Sequence, residues 1–175
     1  MTASKNIFLI GPMGSGKTAV GRCLARVLKQ PFYDSDVDIE RCTGVDIPFI
    51  FEKEGEAGFR VRESEVIDRL TQMNGIVLAT GGGAVINPDN RRWLAERGRV
   101  VYLKTSIRQQ LNRTRHGRNR PLLNDTDPEA RLRLLMIQRS AFYEEIADFT
   151  VSTDERKAQL VAQEILQEIR QAPGG

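Results

Sequence analysis

The sequence predicts an α/β fold with a parallel sheet flanked by helices, and two observations carry that expectation. Five short apolar runs of strand length alternate with helix-period stretches long enough to cross back over a sheet. A glycine-rich segment sits directly between the first run and the first helical stretch, where such sheets turn their strands into helices.

The elements follow in order. Ile7–Ile10 reads as the first strand. The first crossover places Val20, Cys23, Leu24, Val27 and Leu28 on one helical face, and Pro31 ends it. Phe32–Asp34 is the second strand, and 76–80, 100–103 and 150–152 are the third, fourth and fifth. Asn87-Pro88 and Asp127-Pro128 each set a capping side chain before a proline at the first helical position. A last helix is expected over 155–170, with Val161, Ile165 and Ile169 in one stripe, followed by a disordered tail over 171–175. Residues 112–125, which include Arg113, Arg115, His116, Gly117, Arg118 and Arg120, are the least core-like interior stretch and are expected to form a mobile lid. No repeat or low-complexity linker divides the chain, so one domain over 1–175 is expected.

Composition narrows the function classes. Forty per cent hydrophobic and 28% charged residues are ordinary for a folded globular chain. The longest apolar runs fall far short of a membrane span, and no apolar signal region precedes the first strand, so a cytoplasmic enzyme with no membrane partner is expected. Two cysteines, Cys23 and Cys42, share no Cys-x-x-Cys spacing, and neither lies near the single histidine, which argues against zinc and disulfides. A net charge of +3 is spread through alternating acids and bases, which argues against nucleic acid; a small anionic substrate and a mildly basic solvated surface account for it equally.

The chemistry begins at Gly11-Pro12-Met13-Gly14-Ser15-Gly16-Lys17-Thr18, a full G-x-x-x-x-G-K-[ST] phosphate-binding loop in its required strand-to-helix setting. Glycines let the backbone N–H groups turn inward around phosphate oxygens, and the helix that follows adds the positive end of its dipole. Lys17 is expected to reach the β- and γ-phosphates and Thr18 to ligate magnesium. Gly14, Ser15, Gly16 and Ala19 complete the nucleotide-binding set. No Asn-Lys-x-Asp guanine-reading sequence occurs, and the third strand runs into Gly81-Gly82-Gly83 without a terminal acid. A small-molecule kinase fits better than a GTP switch.

Asp34-Ser35-Asp36-Val37-Asp38 brings carboxylates to the same sheet edge. Two readings stand: one carboxylate for magnesium and one for a substrate hydroxyl, or an acidic turn that caps the next helix. Asp34 and Asp36 share a face only if the strand continues past Asp34. The three glycines allow a ligand close to the backbone. Arg60 and Glu63 fall on one helical face, where a surface ion pair is the first reading.

Together, the phosphate loop, Asp34-Ser35-Asp36, Phe59-Arg60-x-x-Glu63, Thr80-Gly81-Gly82-Gly83, Arg120-Pro121-Leu122-Leu123 and Arg139 resemble the shikimate kinase family, in its order and spacing, from about Asn6 to Arg170. The resemblance implies a three-layer P-loop NTPase fold, nucleoside-monophosphate-kinase-like, with a five-stranded parallel sheet and a lid. It also implies transfer of the ATP γ-phosphate to the 3-hydroxyl of shikimate on the route to chorismate, with Mg²⁺ as cofactor and a monomeric chain. Asp36 would contact the substrate hydroxyls and take the proton, and Arg60 and Arg139 would hold the carboxylate, with Gly82 lining the same site. Arg120 in the lid would face the ATP phosphates, Asp34 would support magnesium through water, and Arg156 would contact the adenine. One departure is visible: the family follows its last substrate arginine with a proline two residues on, and this chain has Ala141. Kinases of another polyol acid such as gluconate, or of a nucleotide, are the alternatives within the class, and a non-catalytic nucleotide-binding regulator is the alternative outside it.

Overall fold

The computed structural model describes residues 5–115 and 127–172. Five strands, β1 (Ile7–Ile10), β2 (Phe32–Asp34), β3 (Val77–Ala79), β4 (Arg99–Lys104) and β5 (Phe149–Ser152), form one sheet in the order β2-β3-β1-β4-β5. Every neighbouring pair is parallel. Because the chain leaves β1 toward β2 on one side and reaches β4 on the other, the carboxyl end of β1 lies at the switch point where open α/β sheets bind ligands. The phosphate loop is there for that reason.

Among the described residues, seven α-helices and a 3-10 turn at Ala84–Ile86 complete the order: α1 (Lys17–Leu28), α2 (Ser35–Thr43), α3 (Ile47–Thr71), α4 (Pro88–Arg97), α5 (Ile107–Thr114), α6 (Pro128–Ile146) and α7 (Ala158–Gln171). Alternation along the strands sorts the core into two layers. Ile7 and Leu9 pack with Val20 and Leu24 of α1 and with Val161 and Ile165 of α7. Phe8 and Ile10 face the other way, onto Ile67 and Leu70 of α3, Leu94 of α4 and Tyr143 of α6. Both faces of the sheet are covered, which is why its inner strands β1, β3 and β4 read as apolar runs.

Local chemistry sets the helix ends. Asp34 caps α2, its carboxylate accepting from the backbone N–H groups of Asp36 at 3.0 Å and Val37 at 3.4 Å. The second strand therefore ends at Asp34, and Asp34 and Asp36 do not share a strand face. Asn87 and Asp127 cap α4 and α6 ahead of prolines, as their sequence predicts. In α3 the helix is broken at Gly55, whose φ of 70° and ψ of −176° lie outside helical geometry.

Three boundaries differ from the sequence reading. The last helix begins at Ala158 and not at 155, because Glu155 adopts a left-handed φ of 55° that no helix continues through. It runs through Gln171, so the tail expected over 171–175 starts later; Ala172 caps the helix, and 173–175 lie outside the described residues. The stretch expected as a lid over 112–125 begins as the end of α5, through Thr114, and its residues 116–125 lie outside the described residues.

Candidate active site

The phosphate loop is shaped by its glycines. Gly14 and Gly16 hold φ values of 77° and 88°, a region that side chains disfavour. Gly14 is also closed in from outside: a Cβ there would stand 3.1 Å from the Gln110 Cα of α5. Lys17 is nearly buried and turns back on its own loop, its Nζ donating to the carbonyls of Gly11 at 2.7 Å and Pro12 at 2.8 Å and to Ser15 Oγ at 3.3 Å. One residue on, the Thr18 hydroxyl donates to Asp34 Oδ2 at 2.8 Å. Asp34 thus divides its oxygens: one caps α2, as the second reading of its sequence has it, and the other meets the residue that follows the loop lysine.

A cleft of about 480 Å³ opens over this loop, lined among others by Lys17, Thr18, Ala19, Asp34, Asp36 and Gly82. It runs from the phosphate loop to the glycine run after β3. Arg113 also lines it, a residue the sequence gave no reason to separate from its neighbouring cations. The Arg113 guanidinium donates to the Gly14 carbonyl at 3.0 Å and the Thr153 carbonyl at 2.9 Å, which ties the loop to the segment after β5. Arg156 is not part of the cleft lining. It pairs with Glu164 at 2.6 Å and donates to the Ser152 carbonyl at 3.0 Å. Arg120 lies outside the described residues.

The glycine run is where separate helices converge. The Gly81 N–H donates to Ser35 Oγ at 2.9 Å. A Cβ on Gly81 would stand 2.8 Å from Asp36 Oδ1 and 2.9 Å from Glu63 Oε2. One on Gly82 would stand 3.2 Å from the Met13 backbone nitrogen and 3.6 Å from Arg139 Nη1, and one on Gly83 would overlap the Arg60 guanidinium. A side chain at Gly81 or Gly83 would displace these charged groups from where they stand. Asp36 from α2, Arg60 and Glu63 from α3, and Arg139 from α6 are therefore gathered round one short backbone segment. Arg60 and Arg139 do not line the cleft itself; Arg139 lies beside Gly82, which does, and Arg60 beside Gly83, the next residue.

The electrostatics of this cluster follow from its burial. Arg60 pairs with Glu63 at 2.8 Å and with Glu56 at 3.2 Å. Glu63 is only 1% exposed, so the pair expected at the surface is an interior one. Burial pushes the Glu63 carboxyl upward, against the pull of Arg60 and Arg139. Burial works against the Arg60 charge as well, yet Glu63 and Glu56 outweigh it and raise its pKa above the ordinary arginine value. Arg139, 4% exposed, is lowered chiefly by burial. Arg60 Nε, Arg139 Nε and Glu63 Oε2 have no hydrogen-bond partner. Unpaired buried donors on two neighbouring arginines are costly in isolation, and an anionic group placed there would satisfy them.

Comparison with known proteins agrees with this arrangement. The shikimate kinase family model matches residues 13–170. A shikimate kinase of Psychromonas ingrahamii is 55% identical over 166 residues, covering 95% of this chain and 97% of its own. One from Thioalkalivibrio sulfidiphilus is 58% identical over 165 residues, covering 94% of this chain and 87% of its own. Among solved structures, shikimate kinase from Acinetobacter baumannii in complex with shikimate superimposes with a TM-score of 0.94 at 52% identity, over 95% of this chain and 93% of that one. With a P-loop at the switch point of a five-stranded parallel sheet and likeness along nearly its whole length, this chain belongs to the shikimate kinase family and is an ATP-dependent kinase.

Proposed function

We propose that this cleft binds magnesium-ATP at the phosphate loop and shikimate at the glycine run, and passes the γ-phosphoryl group to the 3-hydroxyl of shikimate, giving shikimate 3-phosphate and ADP. The observation that carries the reading is the convergence of Asp36, Arg60 and Arg139 on Gly81–Gly83 at one end of the cleft whose other end is Lys17 and Thr18. An acid with several hydroxyls needs a cationic clamp for its carboxylate and an anionic acceptor for the reacting hydroxyl. Those two chemistries stand side by side here.

In this reading Arg60 and Arg139 fix the carboxylate with their planar forks, and that fixes the ring. Asp36 aligns the 3-hydroxyl and takes its proton as the hydroxyl oxygen bonds to the γ-phosphorus and the bond to the β-bridging oxygen breaks. Lys17 exchanges its contacts with the Gly11 and Pro12 carbonyls for phosphate oxygens, where its charge offsets what builds up in transfer. Arg120 is proposed to face the same phosphates, and Arg156 the adenine. Thr18 Oγ1 and Asp34 Oδ2, both hard oxygen donors 2.8 Å apart, fit a magnesium ion, with Asp34 acting through water. No group of three or more carboxylate, His or Cys side chains is placed to hold a metal among the described residues, so the remaining ligands would be phosphate and water oxygens. When bound, magnesium neutralises the β- and γ-phosphate charge.

Coupled measurement of ADP release with shikimate, gluconate or AMP, each beside a control lacking acceptor, tests the reading. ADP release that depends on shikimate, with a phosphorylated product of the matching mass, is expected. Equal turnover with gluconate, or release independent of acceptor, overturns it.

A further inference from the structure

We infer that Tyr143 is a positioning residue for the acceptor, its hydroxyl joining the Gly82 carbonyl and the Arg139 guanidinium into one unit; the inference rests on the reading of the site proposed above. Tyr143 stands one helical turn beyond Arg139 on α6, so the two share a face. Its side chain is fully buried, and its Oη donates to the Gly82 carbonyl at 2.5 Å. Arg139 lines the same small cavity as Tyr143, and its Nη1 would stand 3.6 Å from a Cβ on Gly82. The ring cannot swing away, because it stacks on Tyr102 of β4 with centroids 5.0 Å apart and planes at 25°.

Packing does not account for this choice of residue. A phenylalanine would fill the same space and stack on Tyr102 without bringing a polar group into the core. The hydroxyl is present where two site elements from distant parts of the chain meet. Gly82 has no side chain by which its backbone could be held, and Arg139 keeps an unpaired Nε. Tyr143 steadies both from behind and leaves arginine donors for an anion. Burial pushes the Tyr143 pKa well above that of an ordinary phenol, so the group stays protonated and able to donate. Its one donor meets the Gly82 carbonyl, which leaves its lone pairs for the neighbouring guanidinium.

The test is Tyr143→Phe in the full chain, with KM measured separately for shikimate and ATP beside a melting curve. KM for shikimate should rise roughly ten- to a hundredfold, the range for losing a hydrogen bond at a charged group, while KM for ATP stays unchanged. Replacing Tyr143 with 3-fluorotyrosine, which keeps ring and hydroxyl, should restore the shikimate KM. An unchanged shikimate KM, an equal rise for ATP, or a loss confined to the melting temperature overturns the inference and leaves Tyr143 a core residue. Arg139→Lys measured in parallel separates two failures. If Arg139→Lys weakens shikimate and Tyr143→Phe does not, the positioning role alone falls. If Arg139→Lys leaves shikimate untouched, the reading of the site falls and takes this inference with it.

Discussion

The two ends of the cleft are built in opposite ways. The nucleotide end is one continuous piece of chain, Gly11 to Thr18, whose glycine torsions and following helix produce the binding geometry locally. The acceptor end is gathered from α2, α3, α6 and the segment after β3, and its charged groups meet only because those helices pack on one face of the sheet. The difference teaches where function and stability are separable. Phosphate-loop side chains bind mainly to their own loop, so they can change with little effect on the core. The acceptor groups are buried against one another, and altering one leaves another unsatisfied.

The largest expected effect comes from the nucleotide end. Lys17→Ala should bring transfer to background, since it removes a cation from the nucleotide and from the charge developing in transfer. Its melting temperature should move by only a few degrees, because Lys17 lines the cleft and water entering in its place can meet the Gly11 and Pro12 carbonyls. Turnover near that of the parent would break the assignment of this end. Asp36→Asn sharpens the comparison from the other side. The amide keeps the shape and cannot take a proton, so kcat should fall roughly 10²–10⁴-fold with ATP affinity intact. A loss below about tenfold would reduce Asp36 to a residue of the first turn of α2.

The smallest effect tests how the nucleotide end is braced. Asp154 accepts from Thr105 Oγ1 at 2.7 Å and the Ser106 N–H at 2.9 Å, tying the segment after β5 to the start of α5, which packs on Gly14. Burial pushes its carboxyl up, but those hydrogen bonds and the Arg113 charge outweigh it and lower the pKa. Asp154→Ala should cost about 1 kcal/mol, or about 2–4 °C in melting temperature. A carboxyl with a depressed folded pKa stabilises above its unfolded value, about 3.9, and that contribution is lost as pH falls through the folded value. The gap between parent and variant should therefore hold at neutral pH and close in acid. A gap that widens in acid would show that the carboxylate is not the stabilising form.

What could be read in advance follows the same division. The phosphate loop was legible because its geometry is encoded in eight adjacent residues, and β1, β3 and the middle of β4 because burial on both faces leaves them apolar, while the edge strands β2 and β5 are only partly buried. Arg60 was not legible by spacing alone. Its distance from Glu63 suggested a surface pair, and the burial of Glu63 depends on Gly81, which belongs to another element. It took the order of motifs along the whole chain to assign it otherwise. Tyr143 carried one usable signal, its position a helical turn after Arg139, but nothing in the sequence shows that its hydroxyl meets Gly82. Arg113 lay hidden in a run of cations, and what singles it out is α5 packing on the loop. The start of α7 was misjudged because the left-handed turn at Glu155 has no glycine to mark it.

The separateness of the two ends is tested most directly by crossed calorimetric titration of Lys17→Ala, Arg60→Lys and Arg139→Lys with ATP and with shikimate. The arginine variants keep the charge and lose the planar fork, so each should bind shikimate roughly ten- to more than a hundredfold more weakly and ATP as the parent does, while Lys17→Ala does the reverse. Shikimate affinity that survives both arginine changes, or ATP affinity that falls with it, would contradict the account.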